Sequence, residues 1–379
     1  MSYFNNHKFT LNNNIVEKKI NTDLIKKSDT KTAEYKKNML DTMKSKLNIS
    51  SDYKIFFMNN VYEMYKSIIH SIIYTYIDIK KFPYILCNKM EDPILLEILK
   101  TYEDTKKAHI IFLKSNIYGT INTDEIETSI KKNKPCLIIN SFINHFTGAI
   151  NNIKKIGEMA HKYKIPLFSD CSYIFGRLPI NPDKNNIDIF TLSMDYPDLN
   201  FIIIKNSLLE GYKLYKYIIS FDYNIYKHIT KEAYVYNLGT HILQNIYKAR
   251  RTNNNRIIKL KNYMLKNMDY IYYDEFIKTK LILKDKSDNE SMNNDKSEGN
   301  TKYIIFGHDI NNENMEVPHI MSILVMKKKK YNGVKFCDID TSIFDNIGIN
   351  NKWKSNIIVL GFNDNTKKND IDKLLKVLN

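Results

Sequence analysis

IPLFSDCSYIFGRLPINPDKNNIDIFTLSMDYPDLNFIIIK, from Ile165 to Lys205, decides the fold. Ile165–Ser169 is short, mostly apolar, and stops at Asp170. Ile187–Ser193 is apolar again and stops at Met194-Asp195-Tyr196. Phe201–Ile204 is a third, purely apolar run. Short apolar runs bounded by turns suit buried strands of a helix-covered sheet. Polar residues at the carboxyl ends of such strands sit where open α/β sheets place their ligands.

The same grammar extends outward. Tyr35, Met39, Met43 and Leu47 recur every four residues and predict a helix over Thr32–Leu47. Ile55–Phe57, Tyr84–Leu86, Ile110–Leu113 and Leu137–Asn140 read as strands. Asp124–Ile130 starts a helix, and Ile153, Ile156, Ala160 and Tyr163 form a helical stripe leading back into Ile165. Strand, helix, strand at this spacing implies right-handed crossovers and a parallel sheet. Beyond Lys205, Ile242–Met268 reads as a long helix, and Tyr270–Leu283 opens a smaller unit. Asp285–Asn300 is polar and charged, apolar only at Met292, and is expected to be a disordered insertion.

Composition narrows the class. A chain of 379 residues can bury a sizeable core. No apolar run approaches the roughly 20 residues that span a bilayer. Met1–Thr10 has no apolar core and little basic character, so no targeting segment is expected, and a soluble protein of the cytoplasm or an organellar matrix is. Cys87, Cys136, Cys171 and Cys337 are scattered, with no metal-ligand spacing, which points to reduced thiols and no metal site. The net charge is +15, yet lysine is spread along the chain and its tight run is Lys327–Lys330. That pattern favours a solvated surface over a nucleic-acid patch.

The organising stretch resembles the core of the cysteine desulfurases, in the class V aminotransferase group of pyridoxal-phosphate (PLP) enzymes. For the family's Asp-Ala-x-Gln it has Asp170-Cys171-Ser172-Tyr173, and for Gly-Lys-x-Pro-Ile it has Gly176-Arg177-Leu178-Pro179-Ile180. For Val-Asp-Leu-x-Ser-x-Ser-x-His-Lys it has Ile187-Asp188-Ile189-Phe190-Thr191-Leu192-Ser193-Met194-Asp195-Tyr196. The likeness runs from Tyr3-Phe4-Asn5-Asn6 to the closing Asp370–Leu378. It implies a PLP-dependent transferase type I fold: an α/β domain over 14–268, its mainly parallel sheet covered by helices on both faces. A smaller C-terminal α+β domain would take 269–379 with residues 1–13.

The resemblance also assigns places. Asp170 is the acid for the pyridine nitrogen, and Tyr173 replaces a glutamine donor. Ser193 is kept. The aldimine lysine falls on Tyr196, the phosphate histidine on Asp195 and the ring-stacking histidine on Asp92. In Asn59-Asn60-Val61-Tyr62-Glu63, Asn60 replaces a turn glycine, which asparagine can mimic in a left-handed conformation. Tyr62 there replaces the phosphate-binding threonine and would crowd a phosphate. Asn144 survives in the Asn144–Ile150 segment, and Thr240 in Gly239-Thr240 would reach a neighbouring subunit's phosphate, or cap a helix. The substrate-carboxylate arginine falls on Ile357, Cys337 lies near a shortened thiol loop, and His319 is expected to be structural.

PLP chemistry needs a lysine amine, an acid at the ring nitrogen and donors for the phosphate. A carboxylate about 4 Å from one phosphate charge is repelled by roughly 4 kcal/mol at an effective dielectric of ~20. Lys205 would point from the wrong end of the sheet to replace the missing amine. The resemblance therefore implies PLP as the ancestral cofactor and no covalent PLP here. The leading reading is a catalytically inactive pseudoenzyme with a scaffold or regulatory role, paired with itself or with a desulfurase-like protein, off the membrane. The alternatives are an active PLP-dependent desulfurase or lyase with displaced residues, and a basic structural subunit of a ribonucleoprotein.

Overall fold

The computed structural model describes residues 32–58, 60–195, 198–211, 236, 239–241, 243–244, 250–273, 275, 303–306, 319–325, 357–362 and 366–378. Two sheets organise them. The first takes β1 (Tyr53–Met58), β2 (Tyr84–Asn88), β3 (His109–Leu113), β4 (Leu137–Ile139), β5 (Leu167–Asp170), β6 (Ile189–Asp195) and β7 (Asp198–Lys205). Its order is β1-β7-β6-β5-β4-β2-β3. The pairs from β6 through β5, β4 and β2 to β3 are parallel, whereas β7 runs antiparallel to both β6 and β1. The sheet is therefore mainly parallel, as the strand–helix alternation predicts, and β6 and β7 pair as far as Asp195 opposite Asp198.

Helices cover both faces because the strands are apolar on both sides. Phe168, Ile189, Ile202 and Ile204 point to one face and pack with α2 (Val61–Asp78) and α3 (Pro93–Asp104). Leu167, Phe190, Phe201 and Ile203 point to the other. There they meet α1 (Thr32–Leu47), α4 (Thr123–Asn133) and α5 (Ile153–Lys162) through Met39, Met43, Leu47, Ile126, Ile130, Ile156 and Ala160. A short α6 (Asn206–Gly211) follows β7.

Four helix starts in the parallel units share one device. Asn60, Asp92, Asn122 and Asn152 are the N-caps of α2, α3, α4 and α5, each side chain accepting a backbone N–H from the first turn. The helix ends share another. The chain leaves α2, α3, α4 and α5 through Lys80, Lys106, Lys134 and Lys164, all in the left-handed region, with φ of 56°, 55°, 49° and 56°. Lys81 N–H bonds Tyr76 O, Lys107 N–H bonds Tyr102 O and Ile165 N–H bonds Ala160 O, closing the last turn as a Schellman motif does.

The second sheet has the order β11-β10-β9-β8, from Ile357–Gly361, Ile320–Val325, Tyr303–Phe306 and Tyr270–Tyr272. One face carries Ile304, Phe306, Ile320, Leu324 and Val359 into the core it shares with the first sheet. The other packs on α7 (Arg250–Lys266) and α8 (Lys368–Leu378) through Ile257, Met264, Leu265, Ile371, Leu374 and Leu375. The long helix thus packs against the second sheet. The segment 285–300 lies outside the described residues.

Candidate functional site

Asp170 closes β5 at the carboxyl end of the parallel strands and is 2% exposed. Its Oδ1 accepts from Ser172 N (3.1 Å), Ser172 Oγ (2.6 Å) and Thr191 Oγ1 (2.9 Å). Its Oδ2 accepts from the Tyr65 hydroxyl at 3.1 Å. Ser172 Oγ in turn accepts Ser193 N at 3.0 Å, which ties β6 to the turn after β5. Tyr65 comes from α2, fully buried, its ring tilted against Phe168 at 6.2 Å between centroids. Burial, then the charges of Asp170 and Asp92, push its hydroxyl well above the usual phenol range.

A second acid lies close by. Glu91 is completely buried and accepts Ser141 N at 2.8 Å through Oε1 and Ser141 Oγ through Oε2. Burial raises its carboxyl to about 7, opposed by the two bonds from Ser141 and assisted by Asp170 and Asp92. Asp92, 6% exposed, turns its Oδ1 to Ile94 N at 2.9 Å and caps α3. Asp92, expected at a ring-stacking place, is thus buried and serves as a helix cap.

The remaining places fare as follows. Tyr173 stacks on His145, with centroids 5.2 Å apart and planes at 19°. Asn144 Nδ2 donates to Gly119 O (2.8 Å), and its Oδ1 accepts Phe146 N (2.9 Å) and Thr147 N (3.1 Å). A Cβ on Gly119 would come 2.6 Å from that Nδ2, so the loop closes tightly on the asparagine. Asn60 is extended, φ −150° and ψ 166°, and its Oδ1 accepts Glu63 N at 2.8 Å. This corrects the left-handed turn expected there: Asn60 is an N-cap. Tyr62 is 48% exposed with Lys66 Nζ 5.2 Å above its ring, so it stands at the surface of α2.

Thr240 Oγ1 donates to Tyr236 O at 2.9 Å, one turn back, which corrects the N-cap alternative. Gly239 beside it is pinned: a Cβ there would meet Met39 Sδ at 2.7 Å and Leu199 Cδ1 at 2.9 Å. Lys205 does sit at the opposite end of the sheet, its Nζ 3.1 Å from Asp188 Oδ1. Tyr196 and Cys337 lie outside the described residues, and Asp195 and Ile357 are placed only as residues of β6 and β11. His319 is buried against β11, where its carbonyl accepts Phe362 N at 2.7 Å.

Asp170, Ser172, Thr191 and Ser193 form one polar cluster with Tyr65. Tyr65 and Glu91 escaped the sequence reading. Tyr65 falls on the apolar stripe of α2 and reads as core, whereas Glu91 was legible as the acid directly before Asp92. Among the described residues, the Asp170 and Asp92 carboxyls, the Asn144 amide and the Thr240 hydroxyl already hold partners within the chain. They do not fit PLP, and no reaction step follows from them.

Residues 18–195 match the family model for class-V aminotransferases. The mitochondrial cysteine desulfurase of Eremothecium gossypii is 27% identical over 114 residues, 30% of this chain and 23% of that protein. The cysteine desulfurase IscS of Plasmodium falciparum is 31% identical over 112 residues, 29% of this chain and 20% of that protein. The aligned segment thus spans under a quarter of either relative. Among solved structures, the NifS-like protein of Rickettsia africae superposes with a TM-score of 0.68, 14% identity, and 98% and 97% of the two chains covered. The apo cysteine desulfurase of Thermococcus onnurineus does so at 0.66, with 14% identity and 99% and 93% covered. At such identities the superpositions show the fold alone. The match to the class-V aminotransferase model thus covers residues 18–195, and the chain has the fold of NifS-like proteins.

Proposed function

We propose that this chain is a cysteine desulfurase-like scaffold that does not perform desulfurase chemistry. The observation that carries the reading is the enclosure of Asp170 by Ser172, Thr191 and Tyr65, where a working PLP site would hold the acid ready for a ring nitrogen. The family spacing adds Tyr196, a phenol that cannot form an imine, at the lysine position. Losses at separate elements support decay of the site more than retuning.

The scaffold would act through its surface, as a homodimer or paired with a desulfurase-like protein through the first sheet's domain. Exposed Tyr62 on α2 and Ile94 on α3 support a contact there. Light scattering tests pairing; a monomer at micromolar concentration would count against the homodimer. Among the described residues, no helix is long and apolar enough to cross a membrane. The deciding assay is sulfide release from cysteine with added PLP and reductant, in protein free of host desulfurase. No turnover above a blank is expected; turnover would overturn the proposal.

A further inference from the structure

We infer that Tyr65 is a built-in substitute for the pyridine ring of the cofactor, so that the cleft closes on itself and takes no PLP, covalently or otherwise. The inference rests on the reading of the chain as catalytically silent and goes past it, because losing a lysine removes the imine and leaves reversible binding open.

The geometry is specific. Asp170 can accept about four hydrogen bonds. Three donors already crowd Oδ1, which leaves Oδ2 as the oxygen a ring nitrogen could use. There the Tyr65 hydroxyl stands at 3.1 Å. A phenol resembles the pyridinium it replaces: a planar ring presenting one donor at its edge. Helix α2 delivers it from the apolar core, where Met64, Ile68 and Ile69 are as buried as Tyr65 itself. A ring nitrogen approaching Oδ2 would compete with the Tyr65 hydroxyl for that oxygen's lone pairs.

Neighbouring contacts act the same way. Tyr173, in the turn after β5, stacks on His145. Asn60 Oδ1 takes Glu63 N–H, one of the first-turn donors of α2 that would serve a phosphate. The site therefore has internal partners for the ring nitrogen and for a phosphate donor, both supplied by α2.

The test separates this closure from the absence of catalysis. Pyridoxine 5′-phosphate has the ring and the phosphate but no aldehyde, so its binding is independent of any lysine. Wild-type protein, titrated by calorimetry, should show no saturable binding up to about 1 mM. Tyr65→Ala should open a ring-sized cavity, and pyridoxine or p-cresol should raise the melting temperature of this variant and not of wild type. Tyr65→Phe keeps the ring and removes the donor; it should melt several degrees below wild type and gain no ligand. Micromolar binding of pyridoxine 5′-phosphate by wild type would overturn the inference. So would an unchanged melting temperature for Tyr65→Phe, or a folded Tyr65→Ala that responds to neither ring. Wild type that binds the phosphate ester yet releases no sulfide would sink the closure alone, whereas turnover of cysteine would sink the reading beneath it.

Discussion

Replacing Asp170 should damage stability, which is not what removal of an idle catalytic acid would do. In the protein this carboxylate takes four donors: Ser172 N, Ser172 Oγ, Thr191 Oγ1 and Tyr65 OH. A hydrogen bond to a charged group contributes about 1.5–3 kcal/mol, and a buried donor left unpaired costs about 1–3 kcal/mol. Two terms offset the sum. Removing a buried charge returns several kcal/mol of desolvation, and the Ser172 hydroxyl retains the bond it accepts from Ser193 N. The net for Asp170→Ala is then roughly 3–5 kcal/mol, as when a buried network loses its central partner. Asp170→Asn keeps the Oδ1 acceptor and loses only the bond from Tyr65, for about 1–2 kcal/mol. At about 2 °C per kcal/mol for a large chain, the alanine variant should melt roughly 6–10 °C below wild type and the asparagine variant roughly 2–4 °C below. Differential scanning calorimetry of the two variants against wild type measures both. An alanine variant within about 2 °C of wild type, or an asparagine variant as damaged as alanine, would refute the account of Asp170 as a structural hub.

Other perturbations have equally definite signs. Glu91, raised by burial from the usual glutamate value of 4.5 to about 7, holds its proton in the folded chain over a range where the unfolded chain ionises. Its contribution is complete below pH about 4.5 and is lost as pH rises to about 7, roughly 3 kcal/mol in all, and Glu91→Gln should flatten that slope in urea titrations taken at pH 5 and pH 7. At Lys80, Lys106 and Lys164, glycine relieves a left-handed strain of about 1–2 kcal/mol that alanine retains, against roughly 0.5–1 kcal/mol of extra chain entropy. Each glycine variant should therefore melt above its alanine counterpart, and the opposite order would contradict the assigned conformation. Gly157→Ala would put a Cβ 2.2 Å from the Asn185 carbonyl, so α5 must shift from the 182–186 turn, at about 1–3 kcal/mol by thermal melting.

The sheet was legible because burial on both faces writes itself as continuous apolar runs, and β5, β6 and β7 fall on the three runs of the organising stretch. Helix α1 was legible to the residue because Met39, Met43 and Leu47 repeat on one face. The helix punctuation was harder. Abundant asparagine and lysine read as compositional background, yet Asn60, Asn122 and Asn152 cap helices, and lysines hold the left-handed ends where glycine is the usual signal. The antiparallel course of β7 also has no signature in an apolar run, since period and hydrophobicity are blind to strand direction. At the site, the family spacing singled out Asp170 and Asn144 while leaving their partners open. Tyr65 reaches Asp170 across 105 residues, and only the packing of α2 on the sheet brings the two together.

On the proposed reading, that separation also explains how a cofactor site can persist as architecture. In a PLP enzyme the acid's partner is a ligand, present at its free concentration. Here the donors are covalently part of the chain, and positioned intramolecular groups can act at effective concentrations far above any cellular metabolite. A ring nitrogen offering one bond competes with Tyr65, whose removal from the core would also forfeit the burial of an aromatic side chain. Once such a donor is in place, selection for fold stability alone keeps Asp170, Thr191 and Ser172 together, whether or not a cofactor is ever bound. A residue at its family position is then no sign of its family role. Its partners decide, and those of Asp170 are the hydroxyls of its own fold.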